Sequence, residues 1–185
     1  MRIGVVGGGA WGTALAQVAA AGGEPVTLWA RENEVVHSIN QEHENRAFLP
    51  GVALAPSIRA TGALADLDAC DALLVVTPAQ HLRSVLVEVA QGTRPLVLCA
   101  KGIEAGTGAL MSEIAGDVQS DAPVAVLSGP TFAAEVAKGL PTAVTLACAD
   151  AGVRRALAER LARPAFRPYA SDDVAGAEIG GAVKN

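Results

Sequence analysis

The chain has 185 residues, of which 51% are hydrophobic, 18% charged and only 3% aromatic. This excludes a disordered chain and suits one domain with a small-residue, aliphatic core, burying roughly 70% of its unfolded surface without disulfide or metal staples. A formal net charge of -5 and a pI near 5.2 argue against a nucleic-acid partner, and twenty glycines without a Gly-X-Y period exclude collagen.

In chain order, the apolar run 2–6 ends in glycines and reads as a strand buried on both faces, as in parallel sheets. Ala14, Leu15, Val18 and Ala19 then mark a helix over 10–22, stopped by Gly22-Gly23, and a second strand follows at 25–30. Together these form a βαβ unit. Residues 32–60 are less regular: a helix near 32–42, then a loop from Asn45 to Pro56. A strand at 72–76 is halted by Thr77-Pro78, and Leu82, Val85, Leu86 and Val89 lie on one helical stripe. Further strands are expected at 95–100, 124–127 and 142–148, with helices at 110–118, 131–138 and 151–162. Phe166–Tyr169 reads as an edge strand, because Pro168 has no N–H to donate to a ladder. The alternation predicts a Rossmann-type α/β fold: a doubly wound, mainly parallel sheet with right-handed crossovers and helices on both faces. Residues 1–185 read as one such domain, 172–185 beginning a connection onward.

The N-terminus imitates a signal peptide, but Gly7, Gly8, Gly9 and Gly12 would break its apolar helix. No uninterrupted apolar run reaches the ~18 residues of a membrane span. Cys70, Cys99 and Cys148 are odd in number and lack C-x-x-C spacing, so they suggest neither a disulfide framework nor zinc. They read as buried small hydrophobes of a cytoplasmic protein.

Gly7-Gly8-Gly9-Ala10-Trp11-Gly12 is a G-x-G-x-x-G motif, set between a buried strand and a helix. Gly7 permits a tight turn, Gly9 lets the backbone approach a pyrophosphate, and Gly12 lets the helix pack on the strand. N–H groups at the helix start would meet the phosphates. The second strand ends at Arg31, where NAD-selective sites usually place an acid, and Glu32 follows. A guanidinium suits a 2′-phosphate, which predicts NADP(H) preference with NAD(H) also used; pairing with Glu32 would blunt it.

Lysine occurs only at positions 101, 138 and 184. Lys101 follows a strand directly, at the sheet edge where ligands bind in open α/β folds. Ser128-Gly129-Pro130-Thr131 repeats the strand–turn–helix geometry that suits an anion. Lys138 precedes Gly139 and reads as a helix-end cation, whereas Lys184 and Asn185 follow a glycine-rich helical approach.

The strings GGGAWGTALA, LWAR, NRAFLPG, TPAQ, AKGIE, LSGPTFAAEVAKGLPTA and IGGAVKN run in order over the whole chain. This resembles the N-terminal half of the NAD(P)-dependent sn-glycerol-3-phosphate dehydrogenases. The resemblance implies reversible reduction of dihydroxyacetone phosphate to sn-glycerol 3-phosphate for phospholipid synthesis. It implies Lys184 as proton donor and acceptor, and Lys101 in contact with cofactor and substrate. Gly129 and Thr131 would contact substrate; Ala10, Trp11, Arg31 and Ala133 would line the dinucleotide. The residue types agree, since hydride addition to a carbonyl leaves an alkoxide in need of a proton. Lys101 near Lys184 would lower the pKa of both and draw in a phosphorylated substrate, while Asn185 would orient Lys184 or hold a hydroxyl. Relatives continue past this point with an all-helical domain that completes the substrate pocket, so the chain alone is expected to bind cofactor but turn over poorly. A homodimer is the assembly to test for in the full-length form.

Two alternatives stand beside this reading: another NADP reductase of hydroxyacid or ketopantoate type, and a non-catalytic dinucleotide-binding module. His37, His43 and His81 have no ligand spacing, so no metal is expected. His81 follows the Thr77-Pro78 turn, within reach of a cofactor.

Overall fold

The computed structural model describes residues 1–184, Lys184 in its backbone only. Eight strands form one sheet in the order β3-β2-β1-β4-β5-β6-β7-β8. They are β1 (Ile3–Val6), β2 (Val26–Trp29), β3 (Ile58–Thr61), β4 (Ala72–Val75), β5 (Leu96–Leu98), β6 (Val124–Ser128), β7 (Thr142–Cys148) and β8 (Phe166–Ser171). All neighbours are parallel except β6 and β7, which run antiparallel with Leu127 opposite Leu146. The helices are α1 (Ala10–Ala20), α2 (Asn33–Glu42), α3 (Leu82–Glu88), α4 (Met111–Val118), α5 (Ala133–Ala137), α6 (Ala151–Leu161) and α7 (Val174–Lys184).

Strand alternation divides the interior into two cores, as the two-residue period of a strand requires. Ile3, Val5, Leu74, Val97 and Leu127 point to the face covered by α1, α2, α5 and α6. Val6, Leu73, Val75, Leu98 and Val126 point to the face of α3, α4 and α7. The doubly wound arrangement expected from the sequence is therefore present.

Two features depart from the expected elements. The irregular stretch after α2 contains β3, whose four residues extend the sheet beside β2, with Asn40 clamping Ala60 through both its N–H and C=O at 2.9 Å. The helix after the Ser128–Thr131 turn is only five residues long and carries Glu135 in its first turn. So short an element sums few peptide dipoles and offers little to an anion. Pro168 does lie on an edge strand, since β8 pairs with β7 alone. Among the described residues no helix is long and apolar enough to cross a membrane, and all three cysteines are free and buried.

Candidate functional site

The sheet reverses its winding between β1 and β4, and three clefts follow the carboxyl ends of the strands from that point. A first cleft of about 490 Å³ is lined by the glycine loop, Trp29, Arg31, Phe48, Thr77 and His81. Trp11, Val76, Thr77 and Pro78 continue into a second cleft of about 320 Å³, which adds Cys99, Lys101, Thr131 and Ala133. Lys101 is shared with a third cleft of about 260 Å³, bounded by Ser128, Gly129 and the α7 glycines 176, 180 and 181. A crevice at this switch point is where open α/β sheets take their ligands.

Packing dictates the loop's glycines. Gly7 has φ +127° and its N–H donates to Trp29 O at 3.0 Å, a turn that L side chains rarely adopt. A Cβ at Gly12 would lie 1.9 Å from Gly7 O, so α1 packs on the loop only because that side chain is absent. A Cβ at Gly8 would lie 2.5 Å from Ala30 Cβ, whereas one at Gly9 would meet nothing within 4 Å. The open side at Gly9 faces the start of α1, an eleven-residue helix with no acidic residue in its first turn. Its leading N–H groups have no intrahelical acceptor. These features fit a dinucleotide's pyrophosphate. Arg31 is exposed on the wall after β2 and forms no ion pair with Glu32 among the described residues; Glu32 instead caps α2, its C=O accepting from Val35 and Val36 N–H.

Toward the third cleft, Lys101 Nζ donates to Gly129 O at 2.8 Å, holding the ends of β5 and β6 together. The following loop is tethered by Arg83, whose Nε and Nη2 reach Glu104 at 2.9 and 3.0 Å, while Thr107 Oγ1 donates to Glu104 at 2.7 Å. The hydrogen bond from Arg83, then that from Thr107, holds the Glu104 carboxyl below its ordinary range. Burial pushes the Cys99 thiol well above its usual value, against a weaker opposing effect of Lys101, and Cys99 forms part of the second cleft's wall at 3% exposure. Helix α7 docks through Glu178, which is 6% exposed and accepts from Ser112 N–H at 2.8 Å and Ser112 Oγ at 2.5 Å. Lys184 ends this helix, its side chain outside the described residues, as is Asn185.

A family model described as the N-terminus of NAD-dependent glycerol-3-phosphate dehydrogenase matches residues 2–153. The chain belongs to this family. It is 60% identical over its whole length to the glycerol-3-phosphate dehydrogenase [NAD(P)+] of Erythrobacter litoralis, and 57% identical to that of Caulobacter vibrioides. It spans 56% of each, a little over half the length of these relatives. Among solved structures, the Coxiella burnetii glycerol-3-phosphate dehydrogenase superposes with TM-score 0.90 at 34% identity, over 97% of this chain and 56% of that one. The Plasmodium falciparum enzyme superposes with TM-score 0.92 at 28% identity, over 100% and 56%.

The structure thus brings Gly7, Gly9, Ala10, Trp11, Gly12 and Arg31 to one cleft and Lys101, Thr131 and Ala133 to the next, with Gly129 in the third beside Lys101. His81, singled out in the sequence only by its place after a turn, lines the first cleft. Phe48 and Thr77 line the first cleft but were not singled out by sequence reasoning, although they lie in the NRAFLPG and TPAQ strings. Phe48 belongs to a loop without periodicity, and Thr77 reads locally as a strand stop. Thr77 is 5% exposed and its hydroxyl has no protein partner among the described residues.

Proposed function

We propose that this chain binds NADP(H), and NAD(H) more weakly, and serves an oxidoreductase that interconverts dihydroxyacetone phosphate and sn-glycerol 3-phosphate for glycerophospholipid synthesis. One observation carries the reading: a glycine loop fit for pyrophosphate opens through Trp11 and Thr77 into a cleft walled by Lys101 and Thr131. That path has one end suited to a dinucleotide and the other to a small phosphorylated ketone.

The division of labour follows from chemical type. Gly7, Gly9, Ala10, Trp11, Gly12 and Ala133 hold the dinucleotide, and Arg31 meets its 2′-phosphate. Lys101, Gly129, Thr131 and Asn185 hold the substrate, and Lys101 also faces the cofactor. A reduced nicotinamide, when bound, supplies the hydride. Lys184 delivers the proton to the developing alkoxide oxygen and takes it back in the reverse direction, a role typically worth about 10²–10⁴-fold in rate. Three buried free thiols suit a reducing, cytoplasmic setting. The substrate is a small molecule, with no nucleic acid involved, and a form spanning the whole length of the relatives assembles as a homodimer.

The test is steady-state NADPH oxidation with dihydroxyacetone phosphate by that longer form, with Lys184→Ala beside it. The expected result is turnover by the parent and a loss of about 10²-fold or more in kcat for the variant. Absence of turnover in the longer form, or full activity in Lys184→Ala, would count against the assignment. Rates of the 185-residue chain alone should be far lower than those of the longer form.

A further inference from the structure

We propose that Asn45 and Thr13 are the positioning residues of the pyrophosphate loop, holding its amides aimed at the dinucleotide and tying them to Phe48 on the cleft wall. The inference rests on the cofactor reading above. Both residues are fully buried, at 0% exposure, beneath the loop and away from the cleft lining. Asn45 Nδ2 donates to Gly8 O and to Thr13 Oγ1, both at 2.8 Å. Thr13 Oγ1 in turn donates to Gly9 O at 2.9 Å. On its other side, Asn45 Oδ1 accepts from Phe48 N–H at 3.1 Å. The partners fix the amide's orientation, because Gly8 O can only accept and Phe48 N–H can only donate.

The peptide plane turns this anchoring into function. In a trans peptide the C=O and the following N–H point in opposite directions. Drawing Gly8 O and Gly9 O down onto Asn45 and Thr13 therefore sends the N–H groups of Gly9 and Ala10 the other way, out of the loop's anchored side. The Gly9–Ala10 peptide is also held by the first turn of α1, where Thr13 N–H donates to Gly9 O at 3.0 Å, whereas glycine at positions 8 and 9 leaves the Gly8–Gly9 peptide without side chains that would restrain its rotation, so that restraint has to come from elsewhere. Asn45 supplies it, and the same amide sets the segment that carries Phe48, which is 43% exposed and lines the cleft. Neither residue lines the cleft, so they act through the loop.

The test is the dissociation constant for NADPH, read by nicotinamide fluorescence on the 185-residue chain, beside thermal midpoints taken to hold each variant folded during titration. Thr13→Val keeps the shape and removes the hydroxyl; Thr13→Ser keeps the hydroxyl; Asn45→Asp keeps the Phe48 acceptor and removes both donors. Expected are losses of about tenfold or more for Thr13→Val and Asn45→Asp, with Thr13→Ser within about threefold of the parent. If Asn45→Asp does not fold, the Thr13 pair decides. Folded variants that bind as the parent does, or Thr13→Ser as weak as Thr13→Val, would overturn the inference while leaving the cofactor reading intact. A parent that binds no dinucleotide would remove both.

Discussion

At the scale of single residues, the loop shows which glycines packing requires. The oxygen of Gly7 occupies the space of a Gly12 side chain, and backbone cannot step aside as a flexible side chain can. Gly12→Ala should therefore cost about 2–3 kcal/mol, a fall of roughly 5–10 °C in the thermal midpoint for a chain of this size, measurable by circular dichroism. Arg31 is a different case: it is exposed, makes no ion pair with Glu32 among the described residues, and on the proposed reading contributes to the ligand. Arg31→Asp should leave the thermal midpoint nearly unchanged and move the NADPH-over-NADH binding preference about ten- to a hundredfold toward NADH. Paired titrations of the two reduced cofactors check this. Arg31 was legible in the sequence because its place at the end of the second strand is a local count from the glycines. Asn45 was not, since it meets Gly8 across 37 positions and nothing in its neighbours announces a buried amide.

At the scale of elements, the loop after β5 holds Lys101 against Gly129 and is itself held from α3 by the Arg83–Glu104 fork. The folded carboxyl of Glu104 titrates below its ordinary value because Arg83 and Thr107 donate to its charged form. A carboxyl lowered on folding adds stability at pH above its unfolded value, about 4.3, and loses it as the pH falls through the folded value. Thermal midpoints of the parent should thus decline in the acid range more steeply than those of Glu104→Gln, with the two curves converging at the lowest pH. The strand–helix alternation was readable because each element carries its own hydrophobic period. Strand β3 was hidden because its Ile-Arg-Ala-Thr run is broken by the exposed Arg59 and has no continuous apolar stretch, so it is defined by pairing with β2. The docking of α7 through Glu178 and Ser112, 66 positions apart, likewise has no local trace.

At the scale of the whole molecule, the cleft proposed for the cofactor lies at the point where the sheet changes winding direction, between the glycine loop, the end of β2 and the Thr77-Pro78 turn. Ligand that binds only the folded state stabilises it by mass action. NADPH at about 100 times its dissociation constant should add about 2.7 kcal/mol, raising the midpoint of the 185-residue chain by roughly 5–10 °C. A concentration series in a thermal-shift measurement checks both the size and the logarithmic dependence. By itself the sequence determined the order of elements apart from β3, the glycine turn with its helix, and the positions of Arg31 and Lys101, because these follow from periodicity and short-range spacing. Only the tertiary structure decided that β7 runs antiparallel, that Phe48 and Thr77 share the cleft, and that Asn45 props the loop. Those outcomes join segments far apart in the chain, and the proximity arises from burying two cores against one sheet, a property of the whole chain and of no single stretch.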